Sequence, residues 1–160
     1  MKYYLIYGQT RYKMIQNILI VCIGNICRSP IGEIFFAEKF KQAGLNVAVS
    51  SAGLGALVGR PADLMAQELV TARGLDLSVH RARQISADIV FSSDLILTMT
   101  ADQQEQIESE YMSARGRVHR LGKWDSYDVP DPYKRPKLVF EQALAMIDQG
   151  VDEWYKRLWN

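Results

Sequence analysis

The sequence predicts an α/β domain in three layers: a four-stranded parallel sheet flanked by helices. Three observations carry that expectation. Short apolar runs alternate with longer segments of helical periodicity, the pattern of strand–helix–strand units. Glycines that end helices and Ser or Pro residues that start them separate the segments. The first strand also passes straight into a glycine-containing loop and then a helix, and ligands bind at such strand ends in open parallel sheets.

Asn17–Val21 (NILIV) is the first strand, short, apolar and partly β-branched as a buried parallel strand should be. CIGNICRSP follows, with Ser29 as N-cap and Pro30 as the favoured first helical residue. That helix runs to about Ala43, with Ile31, Ile34, Phe35 and Phe40 on its buried side and Gly44 closing it. Leu45, Val47 and Val49 alternate as a second strand, SAGLGALVGRP is a loop, and a helix spans about Ala62–Arg73 before Gly74. Ser86–Phe91 reads as a short helix, Leu95–Met99 as a third strand, Ala101–Glu110 as a polar helix and Val118–Leu121 as a fourth strand. Residues 122–136 form a loop rich in Asp and Pro. A last helix covers about Pro136–Leu158, with Leu144, Ile147, Val151, Trp154 and Leu158 at steps of three and four.

A chain of 160 residues fits one domain. With 48% hydrophobic residues it can build a core without disulfide staples. Its net charge of +1, with both signs interleaved, excludes a nucleic-acid tract or a polybasic membrane patch. No apolar stretch approaches a membrane span and the N-terminus lacks a secretory signal, so a cytoplasmic protein without membrane insertion is expected. Two cysteines, Cys22 and Cys27, share one loop with no His beside them, which makes neither a zinc site nor a disulfide framework; no metal or cofactor is expected.

The chemistry is concentrated in Cys22–Arg28, a C-x5-R segment comprising Cys22, Ile23, Gly24, Asn25, Ile26, Cys27 and Arg28. A loop entering a helix turns backbone N–H groups inward, and the helix N-terminus adds positive partial charge. Gly24 and Asn25 tolerate conformations that other residues resist. The product is a cradle for a dianion. A thiol at its base is favoured as thiolate, and Ser29 can donate a hydrogen bond to it. Arg28 supplies a planar fork for two phosphoryl oxygens. Such a site suits in-line attack by sulfur. The leaving alcohol then needs a proton, and the loop YDVPDPY offers Asp128 and Asp131. Asp131 is favoured because Pro130 and Pro132 stiffen its flanks and Tyr133 offers an aromatic wall.

Each of these residues also has a plainer reading. A free Cys is ordinarily an inert buried hydrophobe; the strand–loop–helix context removes that reading for Cys22 and leaves it open for Cys27. Loop aspartates beside proline are commonly turn formers. His80 and His119 have no nucleophile beside them and read as structural. Cys27 is near enough in sequence to trap an oxidised Cys22 as a disulfide, a reversible state that spares the nucleophile.

VCIGNICRSP, SAGLGALVGRPAD, HRARQIS, DLILTM and PDPY, in that order, resemble the low-molecular-weight protein tyrosine phosphatases, over about Met14–Leu158. The resemblance implies Cys22 as nucleophile, Arg28 as phosphate ligand and Asp131 as general acid, with Asn25, Ser29, Ser51 and His80 propping the loop. It implies the same four-stranded parallel sheet. SAGLGALVGR looks most like the bacterial branch acting on tyrosine autokinases of capsule and exopolysaccharide export, so a tyrosine-phosphorylated protein, such as a membrane-bound autokinase, is the implied partner. Leu57 stands where eukaryotic relatives carry a large aromatic in the pocket wall, and Lys134 replaces a second Tyr after Asp131-Pro132-Tyr133. Met1–Lys13 lies outside the resemblance and reads as an extension or tag before a domain of residues 14–160.

Three other functions are weaker. A thiol-dependent arsenate reductase needs further cysteines, and none follows Cys27. A phosphocarrier has no need of Arg28 together with a proton-donating Asp131. A non-catalytic anion-binding module would fit an altered Cys or Arg, and both are present.

Overall fold

The computed structural model describes residues 14–159, so the expected N-terminal extension lies outside the described residues. The elements are β1 (Asn17–Cys22), α1 (Arg28–Ala43), β2 (Ala48–Gly53), α2 (Leu64–Thr71), α3 (Ala87–Phe91), β3 (Leu95–Thr98), α4 (Ala101–Glu110), a 3-10 turn (Met112–Ala114), β4 (Val118–Arg120) and α5 (Lys137–Trp159). All four strands are parallel, in the order β2-β1-β3-β4. The expected α/β sandwich with a parallel sheet is therefore the observed one.

β1 occupies the centre because its residues can be buried on both faces. Ile18 and Ile20 point into a core shared with Ile31, Phe36 and Phe40 of α1 and Ile147 and Val151 of α5. Leu19 and Val21 point the other way, toward Ile96, Ile107 and Val118. Each of these four strand residues is at most 1% exposed, and burying such a side chain contributes about 1.5–3 kcal/mol. The chain leaves β1 toward β2 and later returns past it to β3. The loop after β1 therefore opens at the point where the strand order reverses, the usual place for a ligand crevice.

Several boundaries differ from the sequence reading, each for a physical reason. The second strand is Ala48–Gly53, because pairing with β1 begins at Asn17 opposite Ala48; Leu45 is 38% exposed beyond it. Ser51, Ala52 and Gly53, read as loop, belong to this strand. Gly53 must stay small, since a Cβ there would meet the Ile23 carbonyl oxygen at 2.3 Å. α1 begins at Arg28 with Cys27 as N-cap, so Ser29 and Pro30 are its second and third residues. Pro30 still sits in the first turn, where its missing N–H costs nothing. Gly44 ends α1 in the left-handed conformation (φ 67°), as its residue type requires. On α1, Phe36 is fully buried although the periodicity did not single it out, and Ile34 is only partly buried. On α5, Leu158 is 41% exposed while Trp159 packs edge-on against Phe40 at 4.9 Å, because the buried stripe drifts round a long helix. α2 is two residues shorter at each end than expected, starting after Asp63, whose carboxylate caps Met65 N.

Candidate active site

The segment Cys22–Arg28 turns its carbonyls outward. Leu54 N donates to Cys22 O, Gly55 N to Ile23 O, Leu57 N to Gly24 O and Asp63 N to Ile26 O, all at 2.8–3.0 Å. His80 Nε2 lies 2.7 Å from Asn25 O, and since a carbonyl only accepts, that nitrogen carries the proton. The amides of Gly24, Asn25, Ile26 and Cys27 have no acceptor among the described residues. These four amides are thus left available to an acceptor, the arrangement an anion-binding loop requires.

Asn25 holds this shape. It is fully buried with φ 55°, a left-handed conformation that Asn tolerates better than most residues. Its Oδ1 accepts the backbone N–H of Arg83, an obligate donor, which fixes the orientation of the carboxamide. Its Nδ2 therefore donates to both Ser29 Oγ (2.8 Å) and Ser51 Oγ (2.9 Å). Each hydroxyl, already an acceptor, must send its proton elsewhere. Ser51 donates to Glu33 Oε2, and Ser29 Oγ, 2.9 Å from Cys22 Sγ, donates to that sulfur when it is a thiolate. A directed chain of hydrogen bonds thus ends with a donor aimed at the sulfur. Ser29 does not cap α1, as the sequence suggested, because its hydroxyl is committed to Cys22.

Arg28 is 3% exposed and crosses to the loop after β4. Its Nη1 donates to Val129 O at 3.0 Å, and its Nη2 lies 3.2 Å from Asp131 Oδ2. Buried Nε has no partner among the described residues, a costly omission in an apolar site unless it serves an incoming acceptor. The carboxylate of Asp131 is 51% exposed and also accepts from Tyr133 N. Asp128 is placed differently: Oδ1 accepts from Ala101 N at the start of α4 and from Arg120 Nη1. It ties β4 to α4, and it is Asp131 that reaches the cleft.

The cleft holds about 130 Å³ and is lined by Cys22, Arg28, Asp131, Leu57 and Tyr133 together with the loop backbone. Leu57 and Tyr133 supply its two apolar walls. Cys27 faces the same cleft, but burial, then the neighbouring Asp63, Cys22 and Asp131, push its thiol well up from the usual cysteine range. Both cysteines are free. His119 stacks on Trp154 at 5.5 Å, away from the cleft, where burial lowers its pKa. A larger groove of about 440 Å³ lies behind the loop, between α1 and residues 76–83. Glu33 and Ser51 line it but neither cysteine does, and it is the smaller cleft that brings Cys22, Arg28 and Asp131 together.

Four contributors were not legible from sequence: Glu33, the Arg83 amide, the Val129 carbonyl, and Gln84, whose side chain clamps Leu54 O and Ala56 N. Two of these act through backbone atoms, which carry no residue-type signal.

If Asn25 organises the loop, Asn25→Ala strands two buried hydroxyls and puts a Cβ residue without a polar side chain at positive φ. Denaturant unfolding should show a loss of about 2 kcal/mol or more, with turnover falling in parallel. Wild-type stability and turnover in this variant would mean that Asn25 does not organise the loop.

The low molecular weight phosphotyrosine protein phosphatase family matches residues 17–160. The chain is 46% identical over 145 residues to a probable low molecular weight protein-tyrosine-phosphatase, EpsP, of Ralstonia solanacearum, covering 91% of this chain and 97% of that one. Among solved structures it resembles Wzb of Vibrio vulnificus in complex with benzylphosphonate (TM-score 0.84, 36% identity, 90% and 99% of the two chains). It also resembles Wzb of Escherichia coli K30 in complex with sulphate (TM-score 0.83, 35% identity, 91% and 99%). With Cys22 and Arg28 in place in the loop that carries this likeness, the chain belongs to the low molecular weight protein-tyrosine-phosphatases.

Proposed function

We propose that the protein hydrolyses phosphotyrosine in proteins by way of a phosphoryl group held on Cys22. The observation that carries this reading is the loop itself: carbonyls bonded from behind, amides turned inward, a sulfur below them and a buried Arg28 beside them. The benzylphosphonate and sulphate bound by the two relatives are tetrahedral oxyanions, the chemistry such a loop accepts.

Sulfur attacks phosphorus in line and the P–O bond to the tyrosine ring breaks. Amides and Arg28 meet the charge on the equatorial oxygens. Arg28 Nε is free to bind one oxygen, and a phosphoryl dianion competes for Nη2, releasing the Asp131 carboxyl group toward the leaving oxygen. Freed from that ion pair, the Asp131 carboxylate takes up a proton from solvent and passes it to the leaving oxygen. The resulting carboxylate takes a proton from water, whose oxygen attacks phosphorus; the P–S bond breaks and inorganic phosphate leaves. Leu57 and Tyr133 sandwich the substrate ring. The partner is a tyrosine-phosphorylated protein, and the bacterial branch the loop resembles points to an autokinase of polysaccharide export. The chain would meet it at the cytoplasmic face, where such a kinase presents its tyrosines; among the described residues no helix is long and apolar enough to cross a membrane.

Asp131→Asn keeps the shape and removes the proton. Phosphotyrosine cleavage should slow by about 10²–10⁴-fold, whereas p-nitrophenyl phosphate, whose phenol leaves readily as an anion, should lose much less in the phosphorylation step. Equal losses on both substrates, or the same selectivity in Asp128→Asn instead, would move the role away from Asp131.

Cys27 is proposed as the thiol that captures oxidised Cys22. Peroxide converts the Cys22 thiolate to sulfenic acid, Cys27 sulfur displaces water from it, and a disulfide forms. Loss of the Cys22 charge removes one of the influences that hold Cys27 protonated. Peroxide-inactivated protein should recover with dithiothreitol, and Cys27→Ser should recover far less; equal recovery would remove this role.

A further inference from the structure

The mouth of the cleft has an uneven charge inventory. Its two walls come from the loop after β2 and the loop before α5, through Leu57 and Tyr133. Every acid on these walls is committed: Asp63 caps α2, Asp131 pairs with Arg28, and Glu68 on the adjoining helix pairs with Lys137. Three cations are not. Arg60, Lys134 and Arg135 are exposed and have no ion pair among the described residues.

Lys134 is the most informative of them. Arg135 N bonds to Pro132 O, closing a tight turn whose third residue is Lys134 at φ 58°. Gly or Asn suits that position, whereas Lys carries the full Cβ penalty of the left-handed region. The conformation sets the Lys134 ammonium over the Tyr133 ring, 5.3 Å from its centre. Tyr133 is itself the cleft wall, so the charge stands beside the place where a substrate ring enters. A strained residue that carries a charge to the rim of a site is a reasonable mark of recognition.

We propose that the rim formed by Arg60, Lys134 and Arg135 selects phosphotyrosines flanked by acidic side chains, with Lys134 the principal contact. This rests on the phosphotyrosine reading above and names its substrate class. Rim charges act mainly by steering and by exposed pairing, so the preference should be moderate and salt-sensitive. The exposed apolar residues beside them, Ile23 (42% exposed) and Val58 (68%), give the peptide backbone a surface to lie on without adding competing charge.

The test is kcat/KM on three phosphotyrosine peptides of equal length, with flanks of Glu, Gln or Lys, at low and at high salt. At low salt the Glu peptide should exceed the Gln peptide by about ten-fold and the Lys peptide should be poorest. At high salt the three should converge. Lys134→Gln should shrink the gap several-fold, and the triple change R60Q/K134Q/R135Q should abolish it, while the Gln peptide keeps its wild-type rate. Lys134→Arg, which restores charge, should restore the preference. Equal rates for the Glu and Gln peptides at low salt, or a gap that survives the triple change, overturns the rim assignment and leaves phosphotyrosine hydrolysis standing. Failure to cleave any of the three overturns the phosphotyrosine reading and the rim proposal with it.

Discussion

A loop can offer its amides to one anion only if its carbonyls are satisfied from behind. That constraint organises much of this molecule. Successive peptide groups that point their N–H atoms inward must point their oxygens outward, and buried carbonyls without donors are costly. Here the donors come from the segment after β2 and from His80. β2 therefore does more than extend the sheet: it delivers a backing strip to the loop that follows β1, and Gly53 at its end is small so that this strip can approach.

Asn25 converts that backing into a chemical setting. Because the Arg83 amide fixes its carboxamide, Asn25 gives protons to both serines, which leaves the Ser29 hydroxyl free to donate to a Cys22 thiolate. The same arrangement separates the two cysteines, although they share a loop. Cys22 faces a hydroxyl donor at the base of the cradle. Cys27 caps α1 in a buried place among acidic groups that oppose its ionisation. In the proposed mechanism the first thiol attacks phosphorus, and the second is held back by its burial and its acidic neighbours.

The parallel sheet, the position of the loop and the residues that meet at the cleft were legible in the sequence, because burial period and residue type announce them. The apolar run Ile18–Val21 could only be an inner strand, and Gly44 could only end a helix. The boundaries of β2 were less visible, since Ser50 and Ser51 resemble loop residues until their partners are known; Ser51 is buried only because Asn25 and Glu33 satisfy it. Asp128 and Asp131 are nearly equivalent as letters, and the difference between them lies in what each touches across the fold. Glu33 and the Arg83 amide gave no signal at all, because their roles are created by tertiary proximity alone.

In the proposed mechanism the reacting phosphoryl group passes through a covalent bond to the Cys22 sulfur. Rapid acid quenching of the protein during turnover of a phosphotyrosine peptide, followed by mapping of the phosphorylated fragment, tests it directly. Phosphate should be found on Cys22, with the lability of a thiophosphate, and should form there faster than free phosphate appears. Phosphate found on an aspartate, a histidine or Cys27, or hydrolysis with inversion at phosphorus and no trapped intermediate, would contradict it.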